Sequence, residues 1–309
     1  MNMKKNEFPN RITVELTNQC NVSCTFCPRQ SIDMKIGYMS MELYKKIIDE
    51  AALHLPVKLV IFFRGESLLH PNFLECVQYA KDKGINPIQY ATNALELVPE
   101  LTDRLLQTGI DFISFSLDTI DKEAYKKSRL SGDLEISMKN VVYFSKKCDE
   151  LRRKGVSVPT LQVSTIEIED YMPCQQEFID FWKKYVDIVR VYYEHDDNGK
   201  FRNADVQECV NSQVRERMPC RKVFTDLLVY WDGNLALCNY DWHGGLTGLN
   251  LNNMSILEAW NSKQYESIRN EHNTSTISNQ TMCKDCQHWR IDYMENGYLG
   301  KLYKKGDNE

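Results

Sequence analysis

Three cysteines, Cys20, Cys24 and Cys27, stand within eight residues of the stretch ELTNQCNVSCTFCPRQ, directly after an apolar alternating run. A structural zinc site is closed by four ligands, commonly arranged as two separated pairs. A cubane 4Fe-4S cluster also has four irons to satisfy, usually with Cys thiolates. Three thiols in one tight loop leave one iron open, and a small chelating molecule with an amino and a carboxylate group suits that position. A second set lies far downstream: Cys220, then Gly233 and Cys238, then the C-x2-C pair Cys283 and Cys286. Between its first two members, TDLLVYWDGNLALC reads as a hairpin, with Gly233 meeting the positive-φ demand of a tight turn. The turn brings Cys238 back toward Cys220, and four thiols close a cluster completely. The competing reading is zinc, as a knuckle at the first set and a ribbon at the second.

The elements that must position these thiols follow from the composition and patterning of the rest of the chain. With 309 residues, 42% hydrophobic and 26% charged, there is ample apolar material for one large barrel or a large domain with a smaller companion. A formal charge of -5 gives no nucleic-acid footprint. The polar start MNMKKNEFPN has no apolar signal core, and no run approaches the roughly 18 residues of a membrane span. These features place the protein in the cytoplasm. Eleven cysteines, an odd number, favour metal or redox chemistry over a disulfide framework. Cys76, Cys148, Cys174 and Cys209 read as small buried residues or helix positions.

Short β-rich runs occur at Ile12 to Leu16, Val57 to Phe63, Pro87 to Ala91, Phe112 to Leu117, Leu161 to Ile166 and Ile188 to Tyr193. Helical spacing separates them at Met41 to Leu53, Asn72 to Lys83, Glu100 to Thr108, Ser137 to Lys154 and Gln175 to Tyr185. Strand and helix alternating in this way predict an α/β fold with a parallel sheet, as a partial six-stranded barrel. In such barrels chemistry gathers on the loops after the strands. The cysteine loop follows the first strand, RGE the second, TN the third and SLD the fourth.

The spacing Cys20-x3-Cys24-x2-Cys27, with Phe26 before the last cysteine, resembles the signature of the radical S-adenosylmethionine (SAM) superfamily. The resemblance implies a partial (β/α)6 TIM-like barrel and a 4Fe-4S cluster whose open iron is chelated by the methionine end of SAM. It also implies reductive SAM cleavage to a 5'-deoxyadenosyl radical, fed by a one-electron reductant such as flavodoxin or ferredoxin. FFRGESLLHP resembles the family's GGEPLL segment, with Arg64 for the first glycine, Gly65 and Glu66 retained, and Ser67 for proline. YATNALEL resembles the TNG segment, with Asn93 toward SAM and Ala94 for glycine. FSLDT places Ser116 and Asp118 where relatives bind the ribose or carboxylate of SAM. The distal set resembles the SPASM/twitch extension, C-x(9 to 15)-G-x4-C, with MSILEAWNSKQYESIR, Met254 to Arg269, as the helix before the closing cysteines. No cysteine follows Cys286, which fits the one-cluster twitch form. The motif order resembles that of the 2-deoxy-scyllo-inosamine dehydrogenase type of the butirosin pathway. The implied division is a barrel over 1–205 and a twitch domain over 206–309.

That likeness implies oxidation of a secondary alcohol in a sugar, aminocyclitol or nucleotide sugar. Loss of a hydrogen atom from a carbinol leaves a radical that must shed a proton and a second electron, and a fully ligated auxiliary cluster accepts the electron. A base is needed within hydrogen-bond reach of the hydroxyl. The candidates are Glu167, Glu169 and Asp170 after the fifth strand and Glu194, His195 and Asp196 after the sixth, with Arg202 as a substrate anchor. A peptide-modifying maturase is the second reading, disfavoured by the nineteen residues before Cys20, and a non-enzymatic zinc scaffold the third. Epimerisation is a further radical outcome. The tail Arg290 to Glu309 receives no role.

Overall fold

The computed structural model describes residues 2–196, 199–244, 246–277, 282–294 and 300–306. The predicted barrel strands form at β1 (Arg11–Val14), β2 (Lys58–Ile61), β3 (Ile88–Thr92), β4 (Phe112–Ser116), β5 (Thr160–Glu167) and β6 (Ile188–Tyr193). They pair in parallel and in chain order. The crossovers are α1 (Met41–Ala52), α2 (Phe73–Asp82), α3 (Pro99–Gln107), α4 (Lys122–Ser128) with α5 (Leu134–Arg153), and α6 (Gln175–Trp182). Local chemistry sets their starts. Ser40, Asp121 and Asp133 accept N-cap hydrogen bonds for α1, α4 and α5, and Pro99 opens α3. The short helix α4 was not anticipated, because its seven residues carry too little periodicity to separate from a polar loop.

Strand alternation sorts the two faces of the sheet. Ile12, Val14, Leu59, Ile61, Ile113, Phe115, Leu161, Val163, Val189 and Val191 join the core under the helices. The opposite face carries Thr13, Glu15, Gln162, Ser164 and Arg190, all buried. Closed barrels fill that lumen with branched aliphatic side chains, whereas this one keeps hydrogen-bonding groups.

The C-terminal part adds α7 (Ala204–Gln213), α8 (Lys222–Thr225), β7 (Asp226–Val229), β8 (Asn234–Ala236), β9 (Leu246–Asn250), α9 (Ile256–Trp260), α10 (Lys263–Thr274) and β10 (Gly300–Lys304). β7 pairs in parallel with β1, Arg11 opposite Asp226 and Val14 opposite Val229, and β8 and β9 continue antiparallel. Gly233, at φ 87°, closes the β7–β8 turn as its sequence demands. The segment read as one helix from Met254 splits in two, since Asn261 ends α9 and Ser262 caps α10. The tail does have a role: β10 pairs antiparallel with β6. Both edges of the barrel are thus covered by C-terminal strands in one ten-stranded sheet. Tail residues 295–299 and 307–309 lie outside the described residues.

Candidate active site

The first cysteine loop is held from two sides. Cys24 forms an antiparallel bridge with Arg129, flanked by Thr25 N donating to Ser128 O at 2.8 Å and Leu130 N to Ser23 O at 3.2 Å. On the other side Glu66 N donates to Gln19 O at 2.8 Å. Gly65 is pressed so closely there that a Cβ would lie 2.4 Å from Thr17 O and 2.5 Å from Gln19 O. Cys20, Cys24 and Cys27 remain partly accessible, and Cys20 and Cys24 both feel the charge of Cys27. Burial raises all three thiols, Cys24 to about 12. Phe26 is half-buried between them.

The loops after β2, β3 and β4 meet on this rim. Glu66 is fully buried, and its carboxylate accepts from Asn93 N at 2.8 Å and Leu68 N at 3.1 Å. Desolvation raises its pKa to about 7 despite those bonds. Asn93 in turn donates from Nδ2 to Asn21 Oδ1 at 2.8 Å, so the TN segment is tied to the cysteine loop. Ala94, standing where relatives have glycine, adopts φ 65° and is fully buried. Asp118, also at φ 65°, pairs with buried Arg129 at 2.7 and 2.5 Å. Desolvation opposes the charge on Arg129, but Asp118 and Cys24 hold it protonated, above its ordinary range. Ser116 sits in register with Ser164 on the lumen side. Arg129 escaped sequence reasoning because nothing local marks it; a lone arginine after a helix is ordinary until the fold sets it beside Cys24.

Arg64 points elsewhere. Its Nε and Nη2 donate to the two carboxylate oxygens of fully buried Glu15 at 2.7 and 2.8 Å, Nη1 reaches Trp242 O at 3.3 Å, and the guanidinium lies 3.9 Å from the Tyr230 ring centre. It clamps β1 and β2 to the C-terminal hairpin.

The distal thiols converge as well. Cys220, Cys238, Cys283 and Cys286 line one cavity together with Arg217, Lys222, Tyr240, His272, His288 and Trp289. Burial raises all four thiols, Cys220 to about 12, and their mutual repulsion adds to it. Yet among the described residues no three His, Cys, Asp or Glu side chains gather closely enough to share one metal ion. Four thiols on one cavity wall are the donor number that closes a cubane cluster. The all-thiol donor set fits an iron–sulfur cluster, and the three N-terminal thiols fit one with an open corner.

The base candidates separate. Glu169 and Asp170 are exposed on the turn after β5, and Glu167 pairs with Lys301 of β10 at 3.0 Å. Glu194 pairs with exposed Arg202 at 3.3 Å. His195 turns inward: its ring stands edge-on to Tyr240 and His288 at 5.0 and 4.9 Å, and Gly199 of the same loop would bring a Cβ within 2.9 Å of Cys286 Sγ. Asp196 holds the loop closed by accepting from Lys200 N at 2.8 Å. The loop after β6 and the segment carrying Cys286 and His288 thus share a wall.

Comparison with known proteins places this rim. Residues 14–172, more than half the chain, match the radical SAM superfamily. The chain belongs to the radical SAM superfamily. Residues 220–287 match the SPASM iron-sulfur cluster-binding domain, so this radical SAM enzyme carries a C-terminal SPASM domain. Both domains imply SAM and iron–sulfur chemistry. A probable GTP 3',8-cyclase of Methanocaldococcus jannaschii is 32% identical over 168 residues, 54% of each chain. A tungsten-containing aldehyde ferredoxin oxidoreductase cofactor-modifying protein of Pyrococcus furiosus is 32% identical over 108 residues, 35% of this chain and 30% of that one. The radical SAM chain thus spans about half the length, or less, of these relatives. Among solved structures, BtrN in complex with AdoMet and 2-DOIA aligns over 92% of this chain and 93% of its own, at TM-score 0.58 and 16% identity. Streptococcus suis SuiB bound to precursor peptide SuiA aligns over 96% and 75%, at TM-score 0.71 and 14% identity. These likenesses show the fold. No helix among the described residues is long and apolar enough to cross a membrane.

Proposed function

We propose that this radical SAM enzyme oxidises a secondary alcohol of a sugar or aminocyclitol. The reading rests above all on the pairing of an open three-thiol loop on the barrel rim with a closed four-thiol cavity beside the loop after β6. In it, Cys20, Cys24 and Cys27 hold the SAM-binding cluster and Cys220, Cys238, Cys283 and Cys286 the auxiliary one. When bound, these groups supply a hydrogen-abstracting radical at the first site and an electron acceptor at the second. The chain supplies the rest. Gly65 backbone, Asn93 and Ser116 would hold SAM. Ser164 and Arg190, in register on β5 and β6, and Gln162, bonded to Ser114 at 2.9 Å, give the lumen the hydrogen-bonding wall a polyol needs.

His195 is the proton acceptor in this reading. A carbonyl only accepts, so the 2.8 Å contact of Nδ1 with Asp196 O places the ring proton on Nδ1 and a lone pair on Nε2. Burial lowers its pKa and keeps the ring neutral. His195→Gln is expected to cut ketone formation about a hundredfold or more while 5'-deoxyadenosine release persists. Equal loss of both would remove His195 from the role.

Anaerobically reconstituted protein is expected to hold about eight irons per chain, four at each cysteine set. Replacing Cys20, Cys24 and Cys27 by Ala abolishes SAM cleavage; replacing the distal four leaves uncoupled cleavage without product. Zinc without acid-labile sulfide would sink the enzyme reading. BtrN's structure contains 2-DOIA, and so 2-deoxy-scyllo-inosamine is the first probe, scored by ketone formation. The peptide reading is kept by the likeness to SuiB with its precursor peptide, and a peptide crosslink in place of a ketone would establish it.

A further inference from the structure

Charged side chains surround both thiol sites. Beside the N-terminal thiols, Arg129 is paired with the buried carboxylate of Asp118, Glu66 lies close enough to act on Cys20, and Arg29 acts on Cys20 and Cys27. Beside the distal thiols, Arg217 lines the cavity, with Nη1 3.4 Å from Cys286 O and its guanidinium carbon 4.8 Å from the Trp289 ring centre. The thiols of Cys283, Cys286 and Cys220 act on Arg217, Arg290 stands over the same Trp289 ring, and Asp292 and Asp241 act on the thiols; among the described residues no carboxylate forms an ion pair with Arg217. Lys222 lines the same cavity but is shared with Asp226 at 3.7 Å.

An iron–sulfur cluster gains a negative charge on reduction, and its potential depends on net charge, hydrogen bonding and burial. A cation without a counter-ion on a buried wall stabilises the reduced form more than the oxidised one. We propose that Arg217 sets the reduction potential of the distal cluster, holding it high enough to take an electron from substrate, with Lys222 as a weaker second cation. Arg217 is a positioning residue for charge and touches no reacting atom.

This inference rests on the distal thiols holding a 4Fe-4S cluster, so the test begins by measuring iron and sulfide in the Cys20, Cys24 and Cys27 to Ala background. Zinc there would overturn that reading and the inference with it. With four irons confirmed, potentiometry followed by electron paramagnetic resonance compares Arg217→Gln and Arg217→Lys. Arg217→Gln is expected to lower the reduced-to-oxidised ratio at a fixed potential at least tenfold, equivalent to about 59 mV for one electron, and Arg217→Lys to restore most of it. An unmoved midpoint in Arg217→Gln, or equal shifts in both variants, overturns the proposal. If Arg217→Gln fails to retain iron, Lys222→Gln decides: a smaller downward shift supports the electrostatic account, and none refutes it.

Discussion

At the residue scale, three backbone and side-chain details carry the rim around the first cysteine loop. Ala94 holds a left-handed conformation at φ 65° that costs an L-residue about 1–2 kcal/mol. Ala94→Gly is therefore expected to stabilise the metal-free protein by about 1 kcal/mol, read from urea unfolding. Gly65 has the opposite problem. A methyl group there meets the backbone oxygens of Thr17 and Gln19 at 2.4 and 2.5 Å, and backbone cannot step aside as a flexible side chain would. Gly65→Ala should displace the cysteine loop and cost the N-terminal iron while the distal iron stays, a split that iron analysis and SAM-induced spectral change would show. Glu66 has a pKa of about 7 in the fold against an ordinary 4.5, so the folded state prefers its protonated form. Its contribution is fully present below pH 4.5 and is lost as pH rises through 7. Stability of the metal-free protein should fall over that window, and Glu66→Gln should flatten the fall.

At the element scale, the C-terminal strands act as barrel edges as much as a separate unit. The clamp from Arg64 to Glu15, with Tyr230 stacked on the guanidinium, fixes β1 and β2 to the β7–β8 hairpin. Arg64→Met leaves the Glu15 carboxylate buried without its partner and is expected to cost about 3–5 kcal/mol. The double change with Glu15→Gln should recover most of that loss, and a double mutant as weak as the single would refute the clamp. On the far side, β10 covers β6. Truncation after Met294 removes that strand and bares a row of unpaired backbone groups. The truncated chain should unfold at lower denaturant and aggregate at concentrations the full chain tolerates.

At the scale of the whole molecule, one sheet joins two thiol sites, and the loop after β6 touches the distal one. What the amino-acid sequence determined alone was what is local: the two cysteine sets, the six strands and most of their helices. Thiol spacing, period-two alternation and N-caps act over a few residues, so they can be read without a fold. Even there α4 was missed and the break between α9 and α10 passed unseen, because short helices carry little periodic signal. Tertiary structure alone decided Arg129 beside Cys24, Arg64 on Glu15, His195 against His288, Arg217 on the distal cavity and β10 on β6. Each of these is a pairing of charge, ring or edge between segments far apart in the chain. Coulomb forces, burial and hydrogen bonds depend on distance through space, which no spacing along the sequence encodes.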